Sequence, residues 1–278
     1  MRQNNEGEKM PKTEQYIEKL LVSNPLMEPA YKDSIQALKL PQGSRGLDVG
    51  CGIGLQAVLL AEAVGPEGHI TGLDIVPEFL AYAEKMIQRE GLSDRISFEN
   101  GDMNALPFDD NTFDWLWSAN CVGYPVREPL PLLNELARVV KPGGKISILI
   151  YASQMLLPGY PMLEARLNAT SIGIAPFTVD MKPETHHMRV LGWYREAGLK
   201  NPSVRTFTKD VQAPIDKETR AALAALFDMR WGGTNPEVSP EDWEQFQRLT
   251  RWDSPKYILD LPDYYAFITV SLFCGTIV

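Results

Sequence analysis

Asp48 opens the run Asp48-Val49-Gly50-Cys51-Gly52-Ile53-Gly54, and a second acid, Asp74, stands twenty residues beyond Gly54. A short apolar strand ending at Val49, three closely spaced glycines and a helical stretch from Leu55 to Val64 make a turn whose bare backbone admits a nucleotide where a Cβ would block it. Asp74 falls at the end of a second strand, where a carboxylate accepts both hydroxyls of a ribose. The glycines read G-x-G-x-G rather than G-x-G-x-x-G, with Asp48 two residues ahead of them. A pyrophosphate calls for helix amides and no adjacent carboxylate, whereas an acid at a strand end suits a ligand with a cationic amino acid tail. The chemistry is that of holding a nucleoside whose far end is positively charged.

S-adenosyl-L-methionine, with an ammonium and a sulfonium, is such a ligand. Asp48, Gly50, Gly52, Gly54 and Asp74 together resemble the first two motifs of the class I S-adenosylmethionine-dependent methyltransferases, acidic-x-Gly-x-Gly-x-Gly and the acidic end of strand two. The resemblance continues through Asn100 to Phe108, through Phe113 to Ser118 and through the turn Lys141-Pro142-Gly143-Gly144, and covers about residues 45 to 151. It implies S-adenosyl-L-methionine as cofactor and S-adenosyl-L-homocysteine as product, with Asp102 accepting the adenine amino group and Met103 beside the ring. Cys51, Ile75, Ser118 and Asn120 are assigned to the same cofactor site. The implied fold is α/β, a doubly wound, mostly parallel seven-stranded sheet of Rossmann-like methyltransferase type with helical lid inserts.

The elements needed to position these residues are legible in the pattern. Strands alternating with helical periodicity from residue 45 to 151 indicate parallel βαβ units. Pro77 opens a helix with Phe79, Leu80, Ala83, Met86 and Ile87 at helical spacing, closed at Gly91. Arg95 to Glu99 reads as strand three, and Asp109-Asp110-Asn111 as a polar turn whose acids are solvated. Thr185 is placed to cap a helix from His186 to Ala197. Val204 to Phe207 and Tyr264 to Thr276 read as the last two strands, paired antiparallel.

We read one domain over 1–278: an N-terminal helical lid at 1–40, a cofactor-binding core at 41–151, and an inserted substrate cap at 152–184 and 209–262. The second insert has helical patterns at Lys217 to Arg230 and Asp242 to Trp252, the latter capped by Ser239. Its Trp231, Trp243 and Trp252 either fill a small core or line an apolar pocket. In the N-terminal helix, Tyr16 or Tyr31 either meets the methionine end of the ligand or packs on the surface.

Displacement at a sulfonium is in-line, and the leaving group is already activated, so alignment and desolvation are the protein's main tasks and no catalytic metal is predicted. A general base is needed only for a poor nucleophile. The candidates are His186 and His187, with Tyr124 as a residue that packs on the cation or orients the acceptor; each also has a plain structural reading. Cys51, Cys121 and Cys274 are scattered and odd in number, as reduced thiols are.

A net charge of −9 opposes a nucleic-acid partner, since such binding needs basic surface to release counterions. No apolar stretch approaches the ~20 residues of a membrane span, and Met1 to Lys12 lacks a signal-peptide core, which points to a cytoplasmic enzyme with a small-molecule acceptor. The acceptor atom, O, N, S or C, stays open. Three other readings use the same residues: a cyclase or decarboxylase keeping the cofactor as a structural ion, a non-catalytic binding module, and a nicotinamide oxidoreductase. Intact motifs count against the module, and Asp48 with the third glycine's position against the oxidoreductase.

Overall fold

The computed structural model describes residues 12–122, 128–170 and 182–278. Helix α1 (Lys12–Leu38) precedes an alternating series of β1 (Arg45–Val49), α2 (Leu55–Val64), β2 (His69–Asp74), α3 (Pro77–Arg89), β3 (Ile96–Asn100), β4 (Phe113–Ala119), α4 (Pro129–Arg138) and β5 (Val140–Met155). Then follow α5 (Pro161–Asn168), α6 (Val190–Glu196), β6 (Lys200–Gln212), α7 (Lys217–Trp231), α8 (Pro240–Thr250) and β7 (Tyr265–Thr276). The strands form one seven-stranded sheet in the order β3-β2-β1-β4-β5-β7-β6. Strands β1 to β5 are parallel, and β7 runs antiparallel to both β5 and β6. The doubly wound sheet expected from the sequence is therefore present.

Burial on both faces explains the near-continuous apolar strands. Trp115 and Trp117 of β4 face the layer of α1, α2 and α7, while Leu116 between them faces α4 and α6. That is the period of two expected of a strand covered on both sides. Among the described residues, no helix is long and apolar enough to cross a membrane.

Several local expectations need correction. β5 runs to Met155 and β6 to Gln212, so sheet residues reach into the spans assigned to the cap. The helix expected from His186 starts at Val190, after a 3₁₀ turn at His187–Arg189. His186 caps that turn by accepting from the Met188 amide at 3.2 Å, while the Thr185 hydroxyl donates back to the Lys182 carbonyl at 2.8 Å. Asp110 is not merely solvated: it accepts from Arg138 Nη1 at 2.8 Å, tying the polar turn to α4.

The cap is built as a unit. Ser239 Oγ accepts from the Asp242 amide at 3.1 Å, as read from the sequence, and Asp216 caps α7 in the same way through the Thr219 amide. Asp242 takes both Arg166 Nε and Nη2 at 2.7 Å, joining α8 to α5. Trp231 is fully buried with Phe227 and Phe246 around it, and Trp243 packs on Phe246. Both belong to the core, whereas Trp252 is 84% exposed.

Candidate cofactor site and its cap

The three glycines of the loop are needed for three different reasons. All have left-handed backbone, with φ of 72° at Gly50, 54° at Gly52 and 80° at Gly54. A Cβ at Gly50 would stand 2.3 Å from Cys121 Sγ, and one at Gly54 would stand 2.9 Å from Phe98 Cζ. Those two glycines let neighbouring elements close in. Among the described residues, nothing lies within 4 Å of where a Cβ on Gly52 would be, so its freedom serves open space above the loop. The Gly50 and Cys51 amides donate to the Leu73 carbonyl at 2.8 and 3.0 Å, pinning the loop to β2.

Asp74, at the end of β2, accepts from the Gly52 amide at 2.8 Å and the Val76 amide at 3.0 Å. Ile75 beside it is 64% exposed, a bare apolar face next to the acid. Asp102 is exposed and accepts the backbone and side-chain N–H of Asn104, while Met103 is half-buried against the α4 layer. An exposed apolar residue and a partly fixed acid on neighbouring strand ends suit the two properties of an adenine, its flat face and its amino group.

Asp48 is the decisive group. It is 1% exposed, its Oδ2 has no hydrogen-bond partner among the described residues, and its carboxyl is pushed up to about 8, first by burial and then by the charge of Asp74. An unsatisfied buried carboxylate oxygen is costly unless a cation comes to it. The ammonium of an amino acid tail supplies that cation, so the residues present fit S-adenosylmethionine.

Ser118 is fully buried and its hydroxyl accepts from the Val122 amide at 3.4 Å, which supports the turn after β4. Asn120, with φ of 52°, donates to the Tyr31 hydroxyl at 3.1 Å and accepts from the Tyr151 amide at 2.7 Å. Tyr31 thus closes α1 onto the end of β4, and Tyr16 stacks on Phe79 at the start of α3, 6.0 Å between centroids. Cys51 and Cys121 are held as neutral thiols: burial and the nearby acids raise both, Cys121 to about 12.

Comparison with known proteins decides the family. Residues 47–144 match the methyltransferase domain family. Over 197 residues the chain is 35% identical to the demethylmenaquinone methyltransferase of Anoxybacillus flavithermus, covering 66% of this chain and 81% of that one. The demethylmenaquinone methyltransferase of Bacillus licheniformis is 33% identical over 195 residues, with 65% and 81% covered. This chain belongs to the class I S-adenosylmethionine-dependent methyltransferases. The methyltransferase shares its fold with the YcgJ protein of Bacillus subtilis, at a TM-score of 0.56 and 16% identity over 90% of this chain and 98% of that one. A SAM-dependent methyltransferase from Aquifex aeolicus superposes at 0.51 with 23% identity, over 68% and 90%. The protein is an enzyme, and S-adenosylmethionine is its cofactor.

Of the catalytic candidates, Tyr124 lies outside the described residues. His186 and His187 lie against each other with centroids 4.1 Å apart and ring planes tilted by 30°, just ahead of α6. His187 is buried and pushed down to about 4, first by burial and then by His186, so near neutrality it is a poor proton acceptor. The sequence reading missed a polar group on the other face. The Tyr151 hydroxyl donates to Gln154 Oε1 at 2.5 Å, Gln154 donates to Asn168 Oδ1 at 3.3 Å, and Trp231 Nε1 donates to the same oxygen at 3.0 Å. Arg230 covers the Tyr151 ring, its Cζ 3.7 Å from the centroid. No local motif marks these residues, because they come from β5, α5 and α7.

Proposed function

We propose that this methyltransferase alkylates a small-molecule acceptor seated between the glycine loop and the helical cap of α1, α5, α7 and α8, and that a hydroxylated aromatic ring of the quinol type is the first acceptor to test. The relatives' named acceptor, demethylmenaquinone, supports a quinone-derived ring. The observation that carries the cofactor half of this reading is the orphaned, buried Asp48 oxygen below the open space at Gly52.

In this reading Asp48 receives the amino end of the cofactor, Gly50 to Gly54 line its backbone path, and Asp74 receives the ribose. Ile75, Asp102 and Met103 meet the adenine. When bound, the cofactor supplies an electrophilic methyl group on a sulfonium. The protein fixes the line of approach and excludes water: Tyr31 and Asn120 close α1 over the end of β4, and half-buried Cys121 packs against Gly50.

The test is calorimetric titration with S-adenosylmethionine, S-adenosylhomocysteine and NAD, followed by turnover with reduced demethylmenaquinone and related quinols. Binding of the first two ligands with stoichiometric S-adenosylhomocysteine formed on acceptor addition supports the reading. Cofactor binding with no methylated product from any quinol would overturn the acceptor class.

A further inference from the structure

Arg138, Arg166, Arg220 and Arg251 each pair with a carboxylate. Arg230 is set apart by its close seat on an aromatic ring, its Cζ 3.7 Å from the Tyr151 centroid. It lies half-buried in the last turn of α7, and among the described residues no carboxylate comes within ion-pair distance of it. It covers the ring face of Tyr151, whose phenol is raised by burial and partly lowered by the charge and hydrogen bond of Arg230. The α7 carbonyl end favours a cation at this place, and the ring contributes a cation–π attraction. Neither replaces an anion for a guanidinium partly withdrawn from water.

The surroundings connect this cation to the cofactor loop. Tyr151 is held by Asn120 through its amide and by Gln154 through its hydroxyl, and Gln154 is held in turn by Asn168, which also takes Trp231. Asn120 keeps a left-handed backbone unusual for a residue with a side chain, the kind of local strain that persists where surrounding contacts enforce it. The next residue, Cys121, packs on Gly50 of the loop. A continuous set of contacts thus runs from the loop through Cys121, Asn120 and Tyr151 to Arg230. With the tyrosine, asparagine and glutamine groups bonded to one another, the guanidinium N–H groups not used on Tyr151 are what this wall has to offer a ligand.

The geometry points to Arg230, seated on Tyr151, as the specificity-determining residue that binds an acidic oxygen, phenolate or carboxylate, on a planar acceptor. This rests on the acceptor site proposed above and adds to it the acceptor's chemistry. A planar acceptor oxygen matches the fork of a guanidinium better than the point charge of a lysine.

The experiment titrates the full chain, saturated with S-adenosylhomocysteine, with three probes: 1,4-naphthohydroquinone, 1-hydroxy-2-naphthoate and the neutral 1,4-dimethoxynaphthalene. Arg230→Gln is expected to weaken at least one of the two acidic probes about tenfold or more, leaving the dimethoxy compound and S-adenosylhomocysteine affinity unchanged. Arg230→Lys should recover part of the loss. Loss confined to the hydroquinone identifies a phenolate as the recognised group, and loss confined to the naphthoate identifies a carboxylate. An equal loss for the neutral probe would reduce Arg230 to a packing role, and no loss for any probe would overturn the proposal. If the wild type binds S-adenosylhomocysteine but neither acid, the acidic-oxygen inference fails while the cofactor site stands; failure to bind S-adenosylhomocysteine removes the site itself. Should Arg230→Gln not fold, Arg230→Lys carries the same comparison, because it keeps the charge and loses the fork.

Discussion

The Gly52 amide donates to Asp74 Oδ2 at 2.8 Å, so the two cofactor motifs, one on each of two adjacent strands, are joined by a hydrogen bond before any ligand arrives. The acid proposed above to receive the ribose therefore also sets the loop. Asp74→Ala is expected to weaken S-adenosylhomocysteine binding by about 1–3 kcal/mol, the cost of a lost charge-assisted partner. Gly52→Val should weaken it more, because the side chain would occupy the open space above the loop and strain a backbone with φ of 54°. Calorimetry decides both, and an affinity equal to wild type in either variant sinks the corresponding assignment.

Asp48 gives a proton-linked signature. Its carboxyl stands near 8 in the protein without ligand, so at pH 7 it is mostly protonated. An ammonium beside it favours the carboxylate, and cofactor binding should release a proton at pH 7 and little above pH 9. Calorimetric enthalpies measured in phosphate and in Tris will differ by that proton's buffer term. In Asp48→Asn the difference should vanish; its persistence would place the proton elsewhere.

The same acid affects folding without ligand. The native state keeps a proton that the unfolded chain, with a carboxyl near 3.8, has released, so this contribution to stability falls as pH rises from about 4 through about 8. Asp48→Asn should flatten that portion of a chemical-denaturation pH profile. Parallel wild-type and variant profiles would count against a buried, protonated Asp48.

His187 has the opposite slope. Burial holds it near 4, below the 6.5 of an unfolded histidine, so the unfolded chain binds the extra proton between those values and stability is lost as pH falls from about 6.5 towards 4. His187→Gln should remove that acid sensitivity. An unchanged acid limb would mean that the ring is protonated in the native protein.

The tryptophans of the cap separate core from surface. Trp231→Ala should destabilise the protein by about 3–5 kcal/mol, because it empties a site among Phe227 and Phe246 and removes the shorter of the two hydrogen bonds to Asn168 Oδ1. Trp252→Ala, at an 84% exposed position, should stay within about 0.5 kcal/mol of wild type. Denaturant titration reads both, and equal effects would contradict this division of the cap.

The parallel sheet and the cofactor half were legible because each rests on local patterns. Leu55–Val64 forms as read because an apolar stretch with good helix formers follows a glycine turn, and Ser239 caps α8 because a hydroxyl three residues before an amide reaches it without any tertiary help. The start of α6 was misplaced for an equally local reason: His186 competes with Thr185 as a cap, and only the coordinates show which side chain reaches an amide.

The amino-acid sequence by itself determined the cofactor motif, its two acids and the alternation of strands and helices, since short-range spacing and periodicity express turns, helices and alternating faces directly. The tertiary structure alone decided that Asp48 is buried with an unsatisfied oxygen, that Asn120 meets Tyr31 across 89 residues, and that Arg230 from α7 lies on Tyr151 from β5. Desolvation and long-range pairing depend on which elements pack together, and no spacing within one element encodes them.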